Sequence, residues 1–146
     1  MTPSISSSLL AGRKIMMAVE GKLLRELLVT MMKQAGAGRF LFGNGVEMLR
    51  QVREFAPDLI FCEMQMSMLG GLDFTRQMRN AYMMKTPLIL LVPRADGDSS
   101  AAGLKAGATV ALGVPFSVNE VTEAVRKALE GNATEKAGKI DWSRYS

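Results

Sequence analysis

Apolar residues along the chain alternate between two patterns, short unbroken runs and longer stretches with helical spacing. Five runs have the length of strands and few polar residues, at 14–19, 40–42, 59–62, 87–92 and 109–112. Between the runs, apolar residues recur three and four positions apart, which predicts helices that each bury one face. The clearest such face comprises Leu24, Leu27, Leu28 and Met31. The chain is therefore predicted to alternate five strands with five helices.

Two of the predicted helices carry recognisable start signals. Asn44 with Glu47, and Ser117 with Glu120, have the spacing of a capping box. In a capping box, each of the two side chains accepts a hydrogen bond from a backbone amide that the helix start leaves free. These pairs predict helices that begin directly after Asn44 and after Ser117.

The predicted strands are apolar throughout and do not alternate apolar with polar residues. Strands of this kind are buried on both faces, as in a parallel sheet covered by helices on each side. We expect one α/β domain over residues 13–130, with tails at 1–12 and 131–146. Within the domain, small residues from Ala101 onward predict a fourth helix that ends at Gly107.

The composition agrees with a globular α/β domain. Apolar residues make up 48% of the 146 residues and charged residues 22%. No apolar run approaches the roughly 18 residues that span a membrane, and the amino terminus lacks the basic start and apolar core of a signal peptide. We therefore expect a cytoplasmic protein without a membrane partner. Its single cysteine, Cys62, is predicted to be a core residue of the third strand.

The polar residues argue against two further classes of protein. The net charge is +4, but basic and acidic residues are interleaved without a basic cluster, so no nucleic-acid partner is expected. The chain has no histidine, which removes Ser/His/Asp and Cys/His nucleophiles and most zinc sites. The segment after the first strand has one glycine, Gly21, and is not a glycine-rich phosphate loop. We expect a protein that is not an enzyme and that holds no metal or cofactor.

Short landmarks follow one another along this pattern in a distinctive order. They are Pro57-Asp58-Leu59-Ile60, Met66, Gly71-Leu72, Thr86-Pro87-Leu88-Ile89, Gly103-Leu104-Lys105-Ala106-Gly107-Ala108 and Pro115-Phe116-Ser117. In this order they resemble the receiver domain of bacterial response regulators, of the single-domain chemotaxis type, over residues 13–130. The resemblance implies a (βα)5 flavodoxin-like, doubly wound parallel sheet of five strands in the order 2-1-3-4-5. It also implies a site at the carboxyl ends of the strands.

The resemblance implies where a phosphoryl-accepting site would lie, and this chain departs from the family at every position of it. The family's acidic pair after the first strand falls on Val19 and Glu20. Its phospho-accepting aspartate falls on Glu63, its hydroxyl residue on Val92 and its lysine on Val114. Valine cannot bind phosphoryl oxygens or magnesium, and the extra methylene of glutamate displaces the carboxylate by about 1 Å. The resemblance therefore implies a degenerate phosphoacceptor pocket, that of a pseudo-receiver.

The role of Glu63 stays open at the level of the sequence. It could mimic a phospho-aspartate permanently, face solvent near Glu20, or pair with Arg94 in the loop after the fourth strand. The aromatic switch residue of the family falls on Ala111, so no ring is present to respond to a mimic. Each interpretation predicts a different set of partners for the Glu63 carboxylate.

Residues outside the pocket predict where a partner protein binds. Flexible methionines suit adaptable binding surfaces, and three of them alternate through the turn after the third strand. They are Met64, Met66 and Met68. The resemblance adds the first helix and the face formed by the fourth helix, the fifth strand and the fifth helix. The latter face includes Lys105, Ala111 and Arg126.

These observations lead to two functional hypotheses. The first is a stand-alone pseudo-receiver, a phosphorylation-independent interaction module of two-component-type signalling or a phosphorelay. Its expected partner is a histidine kinase, another receiver, an output protein or, in a homodimer, a second copy of itself, and Trp142 in the carboxyl-terminal tail is a candidate anchor. The alternative is a sensor that binds a small ligand, such as a cyclic dinucleotide, through Arg94.

Overall fold

A computed structural model of the chain describes residues 5–94 and 96–130. Its strands form one parallel sheet, and the strand order across the sheet is β2-β1-β3-β4-β5. The strands are β1 (Lys14–Ala18), β2 (Arg39–Gly43), β3 (Leu59–Glu63), β4 (Leu88–Pro93) and β5 (Val110–Val114). The predicted order 2-1-3-4-5 is confirmed.

Helices follow the strands in alternation, as the apolar spacing predicted. Four of them are α1 (Lys22–Gln34), α2 (Gly45–Phe55), α3 (Gly71–Asn80) and α4 (Gly97–Ala106). A fifth, α5, covers residues 118–130. The described residues thus form a flavodoxin-like (βα)5 fold, as expected from the resemblance.

Both faces of the sheet are buried, which explains why the strands are apolar throughout. Successive residues of β1 point to opposite faces: Ile15 and Met17 join one core cluster, and Met16 and Ala18 join the other. The first cluster contains buried residues of α1 and α5, and the second contains buried residues of α2 and α3. Cys62 is fully buried in the second cluster, so its predicted core position is confirmed, and burial raises the pKa of its thiol.

Both predicted capping boxes are present. At α2, Glu47 N donates to Asn44 Oδ1 over 2.9 Å, and Asn44 N donates to Glu47 Oε1 over 3.1 Å. At α5, Glu120 N donates to Ser117 Oγ over 3.1 Å, and Ser117 N donates to Glu120 Oε1 over 2.9 Å. These side chains satisfy amides that the helix starts would leave without partners.

The fourth helix ends as predicted but begins earlier. Gly107 follows it in the left-handed conformation, with a φ of 116°. The helix begins at Gly97, one turn before Ala101, because the Asp96 side chain accepts hydrogen bonds from Asp98 N and Ser99 N.

The amino-terminal segment is not the tail that the sequence predicted, at least from residue 5 onward. Ile5 and Leu10 are buried in the first core cluster, with 4% and 0% of their surface exposed. Leu10 N donates to Ala35 O over 2.8 Å, so the segment is held against the end of α1. Residues 5–12 therefore belong to the folded unit. The predicted carboxyl-terminal tail at 131–146, including Trp142, lies outside the described residues.

Among the described helices, none has the length and apolar character that crossing a membrane requires.

Candidate functional site

The residues predicted to form the pocket come together at the carboxyl ends of the strands. The strand register places Cys62 beside Ala18, so Glu63, the last residue of β3, lies next to Val19, the residue that follows β1. Pairing of β4 with β5 brings Pro93 next to Val114. Parallel strands direct all these ends to one edge of the sheet, which is where α/β proteins of this kind bind ligands.

Glu63 turns its carboxylate toward the loop between β1 and α1. Its Oε1 accepts a hydrogen bond from Glu20 N at 2.5 Å and another from Gly21 N at 3.0 Å. Gly21 is the residue before α1 and has no side chain to cap the helix, so the carboxylate supplies negative charge at that helix start. None of the three interpretations from the sequence anticipated these backbone donors. The pairing of Glu63 with Arg94 is wrong.

Glu20, in the β1–α1 loop, binds the turn after β3 through its own carboxylate. Its carboxylate accepts hydrogen bonds from Ser67 N, at 3.0 and 3.2 Å, and from Ser67 Oγ, at 2.9 Å. Glu63 therefore ties the end of β3 to the β1–α1 loop, and Glu20 ties that loop to the turn after β3. We call Glu20 and Glu63 the crossed carboxylates. Both are used as hydrogen-bond acceptors that hold the two loops together.

The remaining pocket positions offer no polar side chain. Val19 and Val92 are buried, with 0% and 1% of their surface exposed, and Val114 is half-buried. The residue after Val92 is Pro93, which has no backbone N–H to donate. An anion placed here would therefore find no hydroxyl or ammonium group from these positions.

Val92, Pro93 and Val114 help to line an open cleft of about 200 Å³ beside Glu63. Its walls are mostly apolar, and its one charged group is the Glu63 carboxylate. The lining residues are Leu24, Glu63, Met64, Gln65, Leu91, Val92, Pro93 and Val114.

Arg94 has a structural role that the sequence did not reveal. Its Nη1 donates to Glu120 Oε2 over 2.7 Å and to Pro115 O over 3.2 Å, which fastens the β4–α4 loop to the start of α5. Asp96, two residues further along the same loop, caps α4. The assignment of Arg94 as a ligand-binding residue stays a prediction, and in the structure its Nη1 is paired with Glu120 and Pro115.

The ion pair between Arg94 and Glu120 gives a testable dependence on pH. The hydrogen bond from Arg94 holds the pKa of the Glu120 carboxyl below its usual value, so this carboxylate stabilises the fold above about pH 4.3 and loses that contribution as acid protonates it. We expect Glu120→Gln to lower stability at pH 7, and the difference from wild type to shrink as the pH falls below about 4.3 and through the lowered pKa of Glu120. Urea unfolding curves across this pH range measure this.

The background Arg94→Gln controls that measurement. With Arg94 absent, Glu120→Gln should have a smaller effect at pH 7, because only the bonds from Ser117 then favour the carboxylate. An effect of Glu120→Gln that is equally large in this background would show that the ion pair does not cause the pH dependence.

Only part of the predicted methionine surface is exposed. Met64 and Met66 are half-buried and pack against the second core cluster, so only part of each side chain is open to a partner. Met68 is 69% exposed and Met83 is 77% exposed. Of the three methionines predicted in the turn, Met68 alone is therefore exposed, and they do not form a continuous exposed stripe.

Of the three residues predicted on the surface formed by α4, β5 and α5, two are exposed to solvent. Lys105 and Arg126 are exposed, whereas Ala111 is half-buried against the second core cluster.

The first helix exposes two leucines, one of which the sequence predicted to be buried. Leu27 was predicted on the buried face, yet it is 49% exposed, and Leu23, one turn earlier, is 83% exposed.

The fold, with its site at the carboxyl ends of five parallel strands, defines a receiver-type α/β domain. Residues 15–126 match the family model described as the response regulator receiver domain. The chain belongs to this family.

Named relatives agree with this assignment. The DNA-binding response regulator MtrA of Mycobacterium leprae is 27% identical over 125 residues, which cover 86% of this chain and 55% of MtrA. The response regulator MprA of Mycobacterium bovis is 29% identical over 133 residues, which cover 91% of this chain and 57% of MprA. The chain thus spans about half the length of these curated relatives.

Two solved structures are similar in fold. One is the receiver domain of the Francisella response regulator 1452, with a TM-score of 0.74 and 23% identity; the alignment covers 83% of this chain and 99% of that one. The other is the chemotaxis response regulator CheY4 of Vibrio cholerae, with a TM-score of 0.73 and 21% identity; the alignment covers 82% of this chain and 100% of that one.

The family implies a magnesium ion in this pocket, and the residues present do not fit one. Magnesium requires oxygen ligands in a near-octahedral arrangement. Val19 offers none, Glu20 is bound to Ser67, and Glu63 is bound to the β1–α1 loop. Among the described residues, no group of three or more His, Cys, Asp or Glu side chains is placed to hold a metal.

Proposed function

We propose that the protein is a pseudo-receiver, a module that regulates two-component signalling by binding another protein and without accepting a phosphoryl group. The observation that carries this proposal is the position of the Glu63 carboxylate. Its Oε1 is bound to two backbone amides of the β1–α1 loop, and the neighbouring Val92 and Val114 offer no donor to an incoming phosphoryl group.

The crossed carboxylates give the module a physical means of working without phosphorylation. In a switchable receiver, the loops around the pocket must change arrangement when the phosphoryl group arrives. Here the β1–α1 loop and the turn after β3 are held by hydrogen bonds within the chain itself. The partner-binding surface is then present at all times, and the module has no catalytic role.

Exposed apolar side chains on α1 support a protein partner. Leu23 and Leu27 lie one helical turn apart, with Leu23 largely exposed and Leu27 about half exposed. A contiguous apolar pair on a helix next to the site is a reasonable contact for a histidine kinase, another receiver or an output protein. The tie between α1 and the site through Gly21 and Glu63 links this surface to the arrangement of the pocket.

Incubation with magnesium and acetyl phosphate, followed by intact-protein mass spectrometry, tests the proposal. We expect no mass increase, and we expect the treated and untreated protein to capture the same proteins from a lysate of the native host. Glu63→Gln is the matched control, because the amide cannot form an acyl phosphate. Uptake of a phosphoryl group by the wild-type chain that is lost in Glu63→Gln would contradict the proposal.

A further inference from the structure

The cleft beside Glu63 has the chemical character of a binding site for an organic cation. Its walls at Leu24, Met64 and Val114 are apolar, and Pro93 has no N–H to offer an anion. The Glu63 carboxylate lines the same cleft. Apolar walls with a small number of placed polar groups are the usual composition of a ligand site.

One oxygen of that carboxylate is available to a ligand. Oε1 of Glu63 is held by Glu20 N and Gly21 N, which fixes the carboxylate in place. Within residues 5–94 and 96–130, Oε2 has no hydrogen-bond or salt-bridge partner. A carboxylate that is held through one oxygen and open through the other is prepared to accept a charged donor.

Two arginines near this end of the sheet have other partners within the described chain. Arg94 Nη1 is bound to Glu120 and to Pro115 O. Arg25 lies over the ring of Phe42, 5.1 Å from its centroid, and its Nη1 donates to Val19 O over 3.5 Å. Within the described residues the Glu63 carboxylate forms no ion pair, so a ligand of complementary charge is a cation.

We propose that this cleft binds a small primary alkylammonium ion. Its ammonium group donates to Glu63 Oε2, and its hydrocarbon chain lies against Leu24, Met64 and Val114. The volume of about 200 Å³ is below that of a pocket for a drug-sized molecule, and it suits a short chain such as that of n-butylammonium. This site is separate from the partner surface proposed on α1, so either proposal can fail without the other.

Titration with n-butylammonium chloride, followed through backbone amide NMR shifts, tests the site. We expect saturable shifts at Gly21, Met64 and Val114, with a dissociation constant on the order of millimolar for so small a ligand. n-Butanol, which has the same chain but no charge, should bind at least about tenfold more weakly. Equal binding of n-butanol would overturn the proposal, as would shifts that do not saturate.

Glu63→Gln and Glu26→Gln form a matched pair of variants for the same titration. The glutamine side chain in Glu63→Gln keeps an oxygen for the two loop amides but presents a neutral amide to the cleft, so n-butylammonium should bind about tenfold more weakly. Glu26 is exposed on α1 outside this cleft, and its replacement removes the same charge; binding should be unchanged. Equal dissociation constants in wild type and Glu63→Gln would overturn the proposal.

A substitution in the opposite wall of the cleft tests the proposal even if Glu63→Gln disturbs the β1–α1 loop. Val114→Leu adds a methylene to the cleft and leaves Glu63 in place, so it should weaken the binding of n-butylammonium by competition for volume. Unchanged binding in Val114→Leu would place the ligand outside the cleft and overturn the proposal.

Discussion

Replacing Gly71 with alanine is expected to lower the free energy of unfolding by about 3 kcal/mol, because the added carbon has no space. A Cβ at this position would lie 2.3 Å from Glu63 O and 2.8 Å from Met64 Cα. Both are backbone atoms, which no change of rotamer can move away. The third near atom, Leu90 Cδ1 at 2.7 Å, belongs to a buried side chain. The structure can relieve these contacts only by shifting the end of β3 or the start of α3.

Thermal or denaturant unfolding measures this loss, and Gly97→Ala is the matched control. Gly97 is also the first residue of a helix, but a Cβ there would meet nothing within 4 Å. Because alanine forms helices better than glycine, Gly97→Ala should be neutral or stabilising by up to about 1 kcal/mol. Similar losses in the two variants would attribute the effect to the helix start in general and contradict the proposed clash.

We expect Gly71→Ala to alter the arrangement of the pocket as well as the stability. Gly71 N donates to Met64 O over 2.8 Å, so the turn after β3 closes on itself next to Glu63. Displacement of this turn would move the Glu63 carboxylate relative to the amides of Glu20 and Gly21. The glycine is therefore needed for the arrangement of the pocket as well as for the packing of α3.

Local patterns explain why most of the fold could be predicted from the sequence. The strands are recognisable because burial on both faces leaves them apolar throughout. The helix starts at Asn44 and Ser117 are recognisable because a capping box is formed by residues three positions apart. Both signals lie within a short window of the chain, so no knowledge of the tertiary structure is needed to find them.

The contacts that decide the chemistry of the site are distant in the chain. Glu63 is 43 residues from Glu20, whose amide it accepts, and Arg94 is 26 residues from Glu120. The sequence identified Glu63 and Arg94 as noteworthy but could not choose their partners. Such pairings depend on where the loops lie after folding, and residue spacing carries no information about that.

Two errors in the predicted burial have a common physical cause. Leu27 fits the apolar spacing of α1, but the helix turns the neighbouring Leu28 toward the core and leaves Leu27 half in solvent. Ile5 and Leu10 are too isolated to give a periodic signal, yet tertiary contacts with the end of α1 bury them. An apolar pattern shows which residues can be buried, and the packing of neighbouring elements determines which of them are.

Replacing Arg79 with alanine is the second substitution with a large expected effect, a loss of about 3 kcal/mol in the free energy of unfolding. This half-buried arginine connects the α3–β4 loop to the α4–β5 loop. Its Nη1 donates to Met84 O at 2.9 Å and Thr86 O at 2.8 Å, and its Nε donates to Gly107 O at 2.9 Å. Alanine would leave these carbonyl oxygens without their charged donor, and the cost of such groups is largest where water has little access.

Two further variants, Arg76→Ala and Arg79→Lys, distinguish the stabilising effect of the Arg79 hydrogen bonds from that of its charge. Arg76 lies on the same helix but is exposed, and its pair with Asp73 is a surface salt bridge, so its loss should cost less than about 0.5 kcal/mol. Lysine keeps the charge of Arg79 but lacks the planar fork that reaches both loops, so Arg79→Lys should still lose roughly 2 kcal/mol. Full stability in Arg79→Lys would show that charge suffices, and the connection between the two loops would then contribute little to the fold.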